Sequence, residues 1–152
     1  MSGGQRLSVG QIDPAAQGAV LGMEKYVRSS GLEPKLRELI KIRASQINGC
    51  AFCLDMHTRD AAKGGETLRR MSILPGWREA SSLFDEREQA ALALTEQMTL
   101  ISQGGVSEEV WQQVRTHFDD KEIVALLMAI STINVWNRLA VTTHQDLPEE
   151  EQ

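Results

Sequence analysis

The sequence predicts an all-α protein, a single-domain helical bundle, on three observations. Apolar residues recur with a period of about 3.6 along the whole chain, and no segment shows the alternation or β-branched enrichment of strands. At 152 residues the chain can bury one core without disulfides or metal. No repeat, low-complexity stretch or linker divides it, so residues 1–152 read as one domain.

The elements follow in order. Asp13 is an N-cap before Pro14 at the first helical position, opening a helix through Tyr26 that stops before Gly31. Pro34 starts a second helix with an apolar face of Leu36, Leu39, Ile40, Ile42 and Ile47, broken at Asn48-Gly49. The segment CAFCLDMHTRDAAK reads as a third helix ending at Gly64-Gly65. A short helical piece spans Thr67 to Met71 and is interrupted by Pro75-Gly76. Asp85 with Glu88 makes a capping-box start to EREQAALALTEQMTLIS, which Gly104-Gly105 ends. Ser107 caps SEEVWQQVRTHF, and Asp119 or Asp120 begins a long final helix from Glu122 to about Thr143. Ile123, Val124, Leu126, Leu127, Ile130, Ile133, Val135 and Trp136 make the middle of that helix apolar nearly all round. Burial on more than one side is implied, in the core or against another subunit, and an oligomer is expected.

Composition excludes some functions. A formal net charge of −5 and the lack of a basic stripe argue against nucleic-acid binding. The densest basic stretch, LEPKLRELIKIR, contains Glu33 and Glu38 and reads as a solvated helix face. The acidic residues Glu149, Glu150 and Glu151 read as a frayed tail. Neither end carries an apolar run long enough to cross a membrane, and MSGGQRLSVGQ is too polar for a secretory signal. A cytoplasmic location is the expectation, and there two cysteines point to catalysis, redox sensing or metal binding rather than a permanent staple.

Cys50, Cys53 and His57 are spaced i, i+3, i+7, within a stripe about 60° wide on one helix face. Two thiols and an imidazole therefore meet at the start of a helix, where unpaired N–H groups and partial positive charge stabilise a thiolate. The dipole favours Cys50 as nucleophile, whereas the four-residue spacing to His57 gives Cys53 an adjacent base. Spacing leaves that choice open. If the second and third helices fold back at Asn48-Gly49, Glu38 comes within about one turn of His57, where a carboxylate holds the imidazole in one tautomer and relays its proton.

Glu38, followed twelve positions on by Cys50 and then by Cys53 and His57, closely resembles the alkylhydroperoxidase D and carboxymuconolactone decarboxylase superfamily. The resemblance runs from about Leu36 to Asn137-Arg138, and INVWNRLAV is similar to single-domain, peroxidase-related members. It implies an all-helical homotrimer or homohexamer and an oxidoreductase acting on peroxide. Cys53 would then be the peroxidatic thiol, Cys50 the resolving thiol, and Glu38 with His57 the proton relay. It further implies an external dithiol reductant, lipoylated or thioredoxin-like, and no cofactor. One departure is that Ala51 and Phe52 stand between the cysteines, where the family can carry a second histidine.

Competing readings attach to the same residues. The wider family contains lactone decarboxylases, which need acid–base groups rather than a dithiol. A redox sensor or interaction protein would use the same disulfide without turnover. Zinc would require a fourth ligand from His117, His144 or a carboxylate. Otherwise His117 and His144 complement helix C-termini, and Trp77, Trp111 and Trp136 belong to core or interface. Asn137 and Arg138 either line the site across a subunit boundary or pack helices.

Overall fold

Residues 4–150 are described by a computed structural model, which contains eight α-helices and no strand among them. They are α1 (Val9–Ile12), α2 (Pro14–Ser29), α3 (Pro34–Asn48), α4 (Ala51–Lys63), α5 (Leu68–Ile73), α6 (Glu86–Thr99), α7 (Glu108–His117) and α8 (Asp120–Thr143). Two 3₁₀ turns, at Leu74–Gly76 and Ser81–Leu83, link α5 to α6. The all-α reading holds.

The start signals act as their chemistry dictates. The Asp13 carboxylate accepts from the backbone N–H groups of Ala15 and Ala16, with Pro14 at the first position of α2. Complete capping boxes open α6 (Asp85, Glu88) and α8 (Asp119, Glu122), and Ser107 caps α7. Each satisfies donors that a helix leaves unpaired.

Besides shifts of one or two residues at the ends of α4 and α5, three features differ from the sequence reading. First, α2 continues beyond Tyr26 to Ser29. Second, α6 stops at Thr99, and residues 100–104 form turns rather than continuing to Gly104-Gly105. Leu100 and Ile101 extend the apolar pattern there but remain exposed, so periodicity overran the packing. Third, the one-turn α1 was not anticipated, being too short to display a period. The segment before it is tied to the C-terminal end of α8, where the Arg6 N–H donates to the Thr143 carbonyl at 2.7 Å.

The centre is α3, packed against α4, α6 and α8. Leu39, Ile40, Ile42, Leu92, Leu94, Leu126 and Ile130 are fully buried there, each stabilising the bundle by about 1.5–3 kcal/mol. A second apolar cluster of Ala44, Cys50, Cys53, Ile133 and Ala140, flanked by Phe52 and Trp136, packs α8 behind the cysteines. By length and composition α8 could cross a membrane, an apolar run that the reading of the chain ends did not register. Within the bundle the same residues pack on α2, α3 and α6, and the buried Thr132 and Asn137 hydrogen-bond inside the fold. Glu149 and Glu150 are exposed and outside any helix, while Glu151 lies outside the described residues.

The basic stretch is not a solvated face. Lys35 is exposed, but Lys41 is buried and Arg43 is half-buried against Glu96 at 2.9 Å. The reason is the central place of α3: where neighbours pack around it, Lys41 and Arg43 turn inward and find the carboxylates of Glu24 and Glu96.

Candidate active site

Gly49 ends α3 in the left-handed conformation (φ 66°, ψ 35°). Its N–H donates to the Gln46 carbonyl, and the Cys50 N–H donates to the Ser45 carbonyl at 3.0 Å. This is the Schellman arrangement, in which a residue without Cβ reverses the chain cheaply. Cys50 then becomes the N-cap of α4, with its Sγ accepting from the Cys53 N–H at 3.3 Å. One short turn thus ends the helix carrying Glu38 and begins the helix carrying both cysteines.

Cys50 and Cys53 form a disulfide, with Cα atoms 5.3 Å apart. Both are almost fully buried, yet they differ in what they face. Cys53 lines a cleft of about 750 Å³, together with Glu38, His57 and Asp60. Cys50 does not line it. Leu7 and Val9 from the N-terminal segment, Leu21 of α2, Phe52 and Met56 of α4 and Trp136 and Leu139 of α8 give the cleft an apolar wall.

Glu38 Oε2 and His57 Nδ1 approach to 3.2 Å. The two atoms are buried and, although close enough, are not aligned for a hydrogen bond with each other or with another protein group. The contact is an ion pair when His57 is protonated, and a small ring rotation would convert it to a hydrogen bond.

Behind Glu38 lies a charge network that sequence reasoning missed. Lys41 Nζ is 2.5 Å from Glu24 Oε1 and 4.0 Å from Glu38 Oε1. The Trp136 indole N–H donates to Glu24 Oε2 at 3.3 Å. Burial pushes the Glu24 carboxyl pKa upward, but the Lys41 hydrogen bond and charge, Trp136 and the His57 charge outweigh it and hold the value below the usual carboxylate range. The available signal was a lysine between Ile40 and Ile42, where an apolar residue would be expected.

A polar seam fixes α8 to the end of α3. Asn48 donates to Asn134 and Asn137 at 3.0 and 2.9 Å, and Asn137 donates to Ser45 Oγ at 3.0 Å. Asn137 is therefore a helix-packing residue within this chain. Arg138 is exposed and donates to Asn134 Oδ1 at 2.8 Å.

Among the described residues, one set could hold a metal. Glu38, His57 and Asp60 place ligand atoms within 4.8 Å of one another, while the cysteines, the ligands that suit zinc, are joined to each other. His117, beside Glu86 at 3.9 Å, and His144, the exposed C-cap of α8, do not line the cleft. Trp77 is buried, and Trp111 is partly buried against the main core.

Comparison with known proteins identifies the family of the chain. Residues 14–97 match the model of the carboxymuconolactone decarboxylase family. The Bacillus subtilis uncharacterized protein YdfG is 45% identical over 137 residues, 90% of this chain and 92% of that protein. An Agrobacterium tumefaciens protein of unknown function, whose name suggests an antioxidant defence protein AhpD, superposes with a TM-score of 0.92 at 40% identity, covering 96% of this chain and 99% of that one. An uncharacterized peroxidase-related protein from Silicibacter sp. TM1040 superposes with a TM-score of 0.73 at 26% identity, covering 84% of this chain and 67% of that one. The chain belongs to the carboxymuconolactone decarboxylase family, within the alkylhydroperoxidase D-like superfamily.

Proposed function

We propose that this protein is a thiol-dependent peroxidase that cycles between the Cys50/Cys53 dithiol and disulfide. The observation that carries this reading is the asymmetry of the pair: Cys53 lines the cleft with Glu38 and His57, and Cys50 sits behind it. A nucleophile needs access and a base, while a resolving thiol needs only reach.

In the proposed cycle Glu38 and His57 accept the Cys53 proton, and the thiolate at the N-terminus of α4 attacks the terminal peroxide oxygen. The O–O bond breaks, the sulfur is oxidised to a sulfenic acid, and the alkoxide leaves as an alcohol after taking the proton from His57. Cys50 then attacks the Cys53 sulfur, the S–S bond forms and water departs. An external dithiol carrier, lipoylated or thioredoxin-like, returns the pair to the reduced state by exchange and is itself oxidised.

The family name raises decarboxylation, and Glu38 with His57 could serve acid–base chemistry without thiols. Replacing Cys53 with Ser tests the choice. Loss of peroxide turnover with a dithiol reductant supports the peroxidase, whereas a Cys50→Ser/Cys53→Ser double variant that still decarboxylates a carboxymuconolactone supports the lyase.

The same reading includes a homo-oligomer, a trimer or hexamer. Ile12, Leu68, Ile101 and Val124 leave apolar surface outside the chain's own core. Sedimentation equilibrium of the purified protein checks it, and a monomer at micromolar concentration would remove it.

A further inference from the structure

Lys41 stands where a lysine is costly. It lies in the middle of α3 between fully buried isoleucines and is itself only 6% exposed. Buried ion pairs are poor devices for stability alone, since apolar replacements of similar volume are often neutral or better. A pair kept in such a place beside a cleft points to another role.

The contacts identify it. Trp136, Glu24, Lys41, Glu38 and His57 form a continuous row, drawn from four helices, and every member lines the cleft that holds Cys53. Each carboxylate divides its oxygens between two neighbours. Glu24 offers Oε1 to Lys41 and Oε2 to Trp136. Glu38 turns Oε1 toward Lys41 and Oε2 toward His57. The ammonium thus lies between the two carboxylates, hydrogen-bonded to Glu24 and 4.0 Å from Glu38.

We propose that Lys41, anchored by Glu24, is a positioning residue that orients Glu38 toward His57 and thereby sets the reactivity of Cys53. The proposal rests on the reading of Glu38 and His57 as the proton relay of Cys53. It adds two residues to that relay, neither of which touches the reacting atoms.

The test separates positioning from support of the fold. Single variants such as Lys41→Met leave a buried charge unpaired and are expected to lose stability. The double variant Glu24→Met/Lys41→Met removes both charges and should melt at or above the wild-type temperature. Positioning predicts that this stable protein, when reduced, alkylates Cys53 with iodoacetamide about tenfold more slowly at neutral pH. It also predicts that ring-nitrogen NMR of His57 changes from one tautomer to a mixture. Glu24→Gln, which keeps an acceptor and loses the anchoring charge, should move both readouts in the same direction by a smaller amount. Wild-type alkylation and an unchanged His57 tautomer in either folded variant would overturn the proposal. Neither readout uses a peroxide, so a failure of the peroxidase reading would appear separately, as wild-type protein without turnover.

Discussion

Glu38 Oε2 lies 3.2 Å from His57 Nδ1 across the junction of α3 and α4, and a single left-handed residue, Gly49, sets up that approach. The contact links two features that are separate in the sequence, a glutamate on one helix and a Cys-x-x-Cys-x-x-x-His motif on the next. If the pair is the base for Cys53, removing either member should be about as harmful as removing both. We expect Glu38→Gln and His57→Asn each to lower kcat for peroxide by about 10²-fold, with the double variant no more than a few-fold worse. Steady-state kinetics with a fixed dithiol reductant measures all three, and additive losses would show that the residues act independently.

Gly49 should respond to a small change. A Cβ there meets no atom within 4 Å, so the cost of Gly49→Ala is the left-handed backbone alone, about 1–2 kcal/mol. Urea unfolding measures it. Thiol reactivity of the folded fraction should stay near wild type, because the Schellman hydrogen bonds use backbone groups that alanine also has.

Asn137 should be far less tolerant. Its removal leaves the Asn48 amide and the Ser45 hydroxyl short of partners inside the protein. Asn137→Leu is expected to destabilise by about 2–3 kcal/mol. A matched loss on Asn48→Leu, with less than the sum in the double variant, would identify one shared network; differential scanning calorimetry is the appropriate measurement.

Acid should weaken the fold through Glu24. Its carboxyl pKa is lowered in the folded chain, so the unfolded state binds the proton more readily. The resulting stability is present above the unfolded carboxyl value of about 4.3 and is lost as the pH falls through the lower folded value. The Glu24→Met/Lys41→Met protein should therefore lose less stability than wild type between about pH 5 and pH 3. Urea midpoints across that range provide the check, and identical slopes would remove Glu24 from the explanation.

Much of this was legible in the sequence because it was local. Capping residues, prolines and glycines act within a few positions, which is why Asp85, Asp119 and Gly49 marked real boundaries. The four-residue spacing puts Cys53 and His57 on one face of α4, whereas Cys50 precedes the helix as its N-cap, a step off that face. The misses were tertiary. Leu100 and Ile101 continue an apolar rhythm past the end of α6 because nothing in the rhythm says where packing stops. Lys41 looked like one more surface cation among Lys35, Arg37 and Arg43; its burial depends on Glu24, which lies on another helix and outside the stretch that carried the resemblance. The cleft draws its walls from both ends of the chain and from α4, so no local pattern announces it.

The central claim is that Cys53 is the attacking thiol of a peroxidase. Stopped-flow mixing of the fully reduced protein with hydrogen peroxide and with an organic hydroperoxide, followed by rapid acid quench and mass mapping, tests it directly. The account predicts oxidation much faster than that of a free thiol, with the sulfenic acid on Cys53 in the Cys50→Ser variant and a Cys50–Cys53 disulfide in the wild type. Oxidation no faster than a free thiol, or a sulfenic acid that forms on Cys50 when Cys53 is present, would contradict it.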